Sequence, residues 1–252
     1  MANIQIAVIN ESTVLTDAQV QPAVSALQIQ VHRDFAPVWG ADADLTFMPS
    51  GSHPAPGSWW LVILDTSDQA GALGYHDLTD QGLPLGKVFA KSDIDSGSSW
   101  TITASHELLE MLGDPDINLT VFVQSDPNTG AGTLYAYETC DACEADNYGY
   151  DINGTNVSDF VCPTWFESFP HPAGTLFDYG NHIQSALQLL PGGYIGVYNI
   201  SAGNGWQQLT AQQGPYLYSM RARLGSRRER RRTPRNQWLN SLVVSSRQPS
   251  HP

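Results

Sequence analysis

Three ionisable side chains, His106, Glu107 and Glu110, fall within one short apolar stretch, TITASHELLEMLGDPD at 101–116. Residues four apart on a helix project from one face, so the His106 imidazole and the Glu110 carboxylate can grip one cation from successive turns. Glu107 is rotated about 100° from His106, where it would meet water on the ion instead of the ion itself. This is the H-E-x-x-H spacing with Glu110 in the second ligand position, and a carboxylate is an acceptable zinc ligand. The chemistry such a set performs is hydrolysis, with Glu107 taking a proton from water and returning it to the leaving amine. The spacing predicts a helix over 99–113, and Ile102, Leu108, Leu109, Met111 and Leu112 make most of its circumference apolar. Ionisable groups in a buried helix need partners, and a metal ion is one; an internal network of salt bridges or a solvated face are the alternatives.

A third ligand must come from outside the helix. Continued straight, the helix would carry residue 114 two turns beyond His106, about 12 Å along the axis. Gly113 must therefore end it if Asp114 or Asp116 is to reach the ion. Downstream, Glu138, Asp141 and Glu144 offer another source, and with Asp146 and Asp151 they suggest a second, oxygen-only site at 138–151 suited to calcium. For an oxyanion partner the candidates are Tyr194 behind the Pro191-Gly192-Gly193 turn, Tyr148, Tyr150 and His171, although a tyrosine is more often a packed aromatic.

The elements that must position this helix follow from periodicity. IQIAVIN (4–10) predicts a buried strand. Thr16 and Gln19 form a capping box, and Val20, Val24, Leu27, Val31 and Phe35 give a helical stripe that Pro22 should kink and Pro37 and Gly40 should end. Strands follow at 43–48 and 59–67. Residues 68–98 read as a polar loop with one candidate strand at 86–90, which Gly and Pro demote to a sheet edge. Beyond Asp114 the pattern weakens to a loop-rich region, with a strand at 133–138, a helix at 181–190 and a strand at 194–200. The fold class is α+β: an N-terminal mixed sheet with two main helices, then an irregular C-terminal lobe across a cleft. Domain boundaries fall at 1–113, 114–220 and 221–252. An edge strand beside the cleft would accept an extended peptide, making the substrate a polypeptide.

SHELLEMLGDP resembles the active-site helix of zincin metallopeptidases, with Gly113 where metzincins turn the chain toward a third ligand. The order strand, helix, strand, strand, edge strand, helix is similar to the zincin N-terminal subdomain. The fuller pattern, S-H-E-x-x-E-x-x-x-D-P from Ser105 to Pro115 followed by E-x-x-D from Glu138 to Asp141, is similar to a group of bacterial HExxE proteins of uncharacterised activity. That resemblance extends to VSDFVCPTWF (157–166), LLPGGY (189–194) and the arginine-rich end; plant phosphate-induced, exordium-like proteins share a related pattern. The resemblance implies a zinc-dependent peptidase. Asp116 takes the third-ligand position of the few metzincins that use aspartate there, and Asp114 is what the HExxE pattern retains. The chain departs from true metzincins in having no histidine at 110 or 116. The sequence thus favours His106, Glu110 and either Asp114 or Glu138 on a zinc-like ion, with a non-catalytic, metal-stabilised module as the alternative function.

Charge is sharply divided. Nine of the 12 Lys and Arg residues lie at Arg221 or later, whereas Glu229 is the one acid beyond residue 220. The body carries a formal −21 and the tail +8. An acidic body suits cations and repels nucleic acid and anionic lipid; nucleic acid binding is expected only through the tail, which could equally dock on its own domain. The start has no signal-peptide pattern and no stretch spans a membrane, so a cytoplasmic address is expected, with export or phage association also open. Cys140 and Cys143 have redox-pair spacing, but flanking acids raise thiol pKa values and argue against that role. With Cys162 and His171 they could form a zinc knot; a local disulfide or buried thiols are simpler readings. His32, His76 and His182 read as ordinary surface or packing residues.

Overall fold

The computed structural model describes residues 3–69, 72–203, 205–211 and 218–222, the last group as backbone alone. Two five-stranded sheets and a small hairpin make up the described strands. The first sheet comprises β1 (Ile4–Asn10), β2 (Ala43–Pro49), β3 (Trp59–Leu64), β4 (Gly74–Leu78) and β5 (Pro84–Phe89). Its order is β2-β1-β3-β5-β4, parallel throughout except for the β4–β5 pair. The mixed α+β class is therefore as expected, but the edge is not. The strand predicted at 86–90 begins at Pro84 and lies inside the sheet, while the edge beside it is β4, within the segment read as loop. Two of the four non-glycine residues of β4 are His76 and Asp77, both buried. A strand that points polar groups inward shows no apolar alternation, so the pattern that reveals other strands is missing here.

Helix α1 (Asp17–Ile29) starts at Thr16, whose N–H donates to the Gln19 side chain at 2.9 Å. Pro22 is accommodated inside it, and the helix continues through a π-helical segment (Gln30–Phe35) into α2 (Ala36–Trp39). Gly40, at φ 71°, ends the run. The whole predicted stripe from Val20 to Phe35 is buried against Ile6, Val8, Leu61 and Ile63. After the short α3 (Ala90–Ser96) comes α4 (Trp100–Gly113), which matches the predicted metal helix to within a residue. It packs on β5 and β4.

The C-terminal half is more regular than expected. β6 (Thr120–Asp126), β7 (Ala131–Ala136), β10 (Tyr194–Asn199), β11 (Gln207–Ala211) and β12 (Tyr218–Ala222) form an antiparallel sheet in the order β12-β11-β10-β7-β6. Between them β8 (Tyr150–Ile152) and β9 (Thr155–Val157) form the hairpin, and β9 packs on both α4 and α1. β12 includes Arg221, placed in the tail by the charge pattern; the rest of that tail, from 223 on, lies outside the described residues. The helix expected at 181–190 does not form. Asn181 and Leu187 adopt positive φ, and the Leu187 and Leu190 amides donate to Trp165 and Ala142 rather than to a helical ladder. Tertiary partners thus outcompete a helical pattern that Pro191 already limits to a few turns. A second core of Trp165, Phe166, Ile183, Leu189, Ile195 and Val197 lies here, and Trp39 spans to it by donating from Nε1 to the Val161 carbonyl at 2.9 Å.

Candidate metal centre

Helix α4 is held along its polar side by hydroxyls and an acid. The Ser99 amide donates to Asp146 at 2.8 Å, the Thr101 hydroxyl to the Asn156 carbonyl, and the Thr103 hydroxyl to buried Asp93. Deeper, the Ser105 hydroxyl donates to Gln30 at 2.6 Å and accepts from the Ser158 amide at 2.9 Å, fixing the helix against its neighbour and the hairpin. At its far end Asp114 is the C-cap, and its carboxylate accepts the Asn118 and Leu119 amides. Asp116, by contrast, is exposed. Neither residue joins the metal-type groupings of His, Cys, Asp and Glu among the described residues.

Two such groupings meet on this helix. His106, Asp141 and Glu144 form one; His76, Glu110 and Glu138 form the other, with the donor atoms of each group within 4.8 Å of one another. Glu110 also approaches the first, because its Oε2 lies 3.3 Å from His106 Nε2 as well as 3.4 Å from His76 Nδ1. Asp141 Oδ1 is 3.3 Å from His106 Nε2. Direct charge-assisted hydrogen bonds run at about 2.7–2.9 Å. Donors held ~2.1 Å from a tetrahedral ion are instead ~3.4 Å apart. The observed separations match the second geometry.

The centre is also buried. Exposure is 8% for His106, 5% for Glu107, 2% for Glu110, 3% for Glu138 and 4% for Asp141. Burying Leu108, Leu109 and Met111 contributes about 1.5–3 kcal/mol each, while each ion taken out of water costs several kcal/mol. Apolar packing on α4 alone does not offset a group of this many acids. Local charge responds accordingly. Burial lowers the His106 pKa, but Glu110 and Asp141 outweigh it and hold the imidazole well above its ordinary value. Burial raises Glu110, yet His106 and His76 draw it well below the carboxylate range. Burial and Asp141 push Glu144 up to about 8. Mixed imidazole and carboxylate donors suit zinc or a similar transition metal better than calcium.

His76 is the residue missed by sequence reasoning. It is 1% exposed, with Nδ1 toward Glu107 and Glu110 and Nε2 3.7 Å from Glu138 Oε2, so it is neither a surface nor an ordinary packing residue. The signal that could have found it is glycine. Gly74 and Gly86, on neighbouring strands, both face Glu107, and a Cβ on Gly74 would lie 2.7 Å from Glu107 Oε1. Residues two apart on a strand share a face, so the glycine that admits the helix also aims His76 at it. Gly74→Ala is expected to cost about 1–3 kcal/mol through overpacking, read as a lower melting temperature.

The acidic run is not one oxygen-only cage. Glu138 goes to His76, Asp141 and Glu144 to His106, Asp146 to the start of α4, and Asp151 to the turn of its hairpin through the Gly154 amide. Tyr194 opens β10 beside Gly193, whose backbone packs against the Asp141 and Ala142 carbonyls. Tyr150 donates to Asp34, Tyr148 lies 5.2 Å from the His182 ring, and His171 sits by the Glu167 carbonyl. Cys140, Cys143 and Cys162 are free and buried, with burial raising all three thiol pKa values, and none joins a metal-type grouping among the described residues. His32 pairs with Asp42 at the surface. A third grouping, Asp159, Asp178 and His182, ties down the turn at 178–183: its carboxylates accept the Phe160, Gly180, His182 and Ile183 amides.

Comparison with protein-family models, with curated proteins and with solved structures gives no match. Among the described residues no helix is long and apolar enough to cross a membrane.

Proposed function

We propose that this chain is a zinc-dependent hydrolase of peptide bonds, related to the zincin metallopeptidases through its HExxE helix. The observation that carries the reading is Glu107. It belongs to neither triad of donors, yet its carboxylate is 3.7 Å from His76 Nδ1 and it leaves the same helix as His106 and Glu110. A purely structural site has no need of an additional buried acid beside its ligands. His106, Glu110 and Asp141 would hold the ion, with Glu144 close by. A bound zinc supplies the positive charge that polarises a carbonyl and acidifies water. Glu107 accepts the water proton and donates it to the departing amine, so the proton count closes within one turnover. The edge position of β4, antiparallel to β5 and next to this helix, supports an extended peptide as substrate.

One observation favours a second reading. Every group of the centre named above is at least nine-tenths buried apart from Glu144, which suits an ion that locks α4 to the turn at 138–144 without catalysis. Zinc content and cleavage of a peptide library by the zinc-loaded chain, wild type against Glu107→Gln, separate the two. Cleavage lost in the variant with zinc retained supports the peptidase. Zinc in both with cleavage by neither supports the structural ion.

A further inference from the structure

One ion on His106, Glu110 and Asp141 accounts for only part of the buried donor set on α4 and its neighbours. We infer that the centre is dinuclear: a second divalent cation is held by His76, Glu110 and Glu138, and Glu110 Oε2 bridges the two ions. The inference rests on the metal-binding reading of α4 and is independent of whether the bond cleaved is a peptide bond.

Three observations converge on it. First, each triad is complete by itself, with one imidazole nitrogen and two carboxylates whose donor atoms lie within 4.8 Å. Second, Glu110 is oriented as a bridge. Its Oε1 accepts the Cys140 amide at 3.3 Å, which leaves Oε2 facing both rings, 3.3 Å from His106 Nε2 and 3.4 Å from His76 Nδ1. An oxygen placed ~2.1 Å from each of two ions accommodates the ~3.5–4 Å spacing of two-metal sites. Third, charge balance favours more than one cation. Glu107, Glu110, Glu138, Asp141 and Glu144 bring five carboxylates together around two histidines. With ligand imidazoles neutral, the four buried carboxylates Glu107, Glu110, Glu138 and Asp141 keep a formal −2 beside one divalent ion and none beside two, and an uncompensated buried charge is costly. Helix and turn share the work: α4 provides the bridge and one ring, β4 the other ring, and the segment after β7 the remaining acids.

Metal stoichiometry of the full chain tests this without reference to catalysis. The chain is stripped, saturated with zinc chloride, desalted and assayed for zinc; in parallel, manganese(II) is loaded and its electron paramagnetic resonance recorded. Two zinc ions per chain and an exchange-coupled manganese pair are expected. Glu138→Gln is expected to hold one ion, with an uncoupled signal, and His182→Ala to keep two, which excludes the Asp159, Asp178 and His182 grouping as the source of the second. One zinc per chain at saturation overturns the second ion and leaves the one-ion peptidase intact. Two ions with no coupling, unchanged in Glu138→Gln, also overturn it. Two coupled ions with no cleavage of any peptide sustain the dinuclear centre while sinking the peptidase.

Discussion

Treating the metal-loaded wild-type chain with a chelator is expected to lower its melting temperature by about 10 °C. An ion that binds only the folded state at a free concentration a thousandfold above its dissociation constant contributes about 4 kcal/mol. For a chain of this size each kcal/mol moves the midpoint by ~2–4 °C. The loss should grow with pH, because ligands must be deprotonated to bind a cation. The metal-free chain itself weakens over the same range, because several buried acids, Glu144 beside the ligands and Asp93 and Asp159 away from them, are held in their protonated form. Asp93 is pushed up to about 7 by burial, Asp159 to about 7 by burial and Asp178, and Glu144 to about 8 by burial and Asp141. Each folded form holds its proton more tightly than the unfolded chain does. Their contribution is therefore present at acidic pH and falls as pH rises from about 4 to those values. His106, raised by Glu110 and Asp141 despite burial, likewise contributes below about 6.5 and loses that contribution as pH passes its raised value. Glu110, lowered by His106 and His76 despite burial, acts in the opposite sense, its contribution being lost as pH falls below the usual carboxylate range. The metal-free chain is thus weakest under alkaline conditions. Ligands must be deprotonated to bind a cation, so the ion's own contribution is largest there. Differential scanning fluorimetry with and without chelator, at pH 6 and pH 8.5, measures both effects; midpoints that chelator leaves unmoved at both values would mean that no ion holds these acids together.

On the proposed peptidase reading, Glu107→Gln is expected to reduce turnover by about 10²–10⁴-fold, the range contributed by a positioned general base, and to leave the zinc content of the chain unchanged. The substitution keeps the shape of the side chain beneath Gly74 while removing its ability to take a proton. A residue that merely packed there would tolerate the change, because Gln fills the same space, 5% exposed to solvent. The kinetic signature is a fall in kcat at near-constant KM, together with loss of the acidic limb of the pH–rate profile, since that limb reports the base gaining a proton as pH falls.

Helix α4 is legible in the sequence to within a residue because Ile102, Leu108, Leu109 and Leu112 set a 3.6-residue period; Gly113 is its last residue and Asp114 its C-cap. α1 is legible because its stripe is uninterrupted and its capping box is local. β4 is not, because it buries His76 and Asp77 where the period-two rule looks for apolar side chains. The same property that hides the strand makes it part of the site. The segment 181–190 misleads in the other direction: it has a helical composition, but backbone bonds to Trp165 and Ala142 hold it in turns. Of the acids expected as ligands, Glu138, Asp141 and Glu144 come to the metal-type groupings, whereas Asp114 joins none of them and binds the amides of its own turn. Sequence spacing ranks Asp114 and Glu138 equally because it does not say which loop folds back. β6 and β7 decide that, by returning the chain to the end of α4 at Thr139, against which Gly113 packs.

The most direct measurement is a crystal structure of the zinc-loaded chain with anomalous differences collected on both sides of the zinc edge. A peak about 2.1 Å from His106 Nε2 and from a carboxylate oxygen of Glu110 is expected. A map with no peak there, and with His106 and Glu110 drawn into a direct hydrogen bond, would contradict the metal centre.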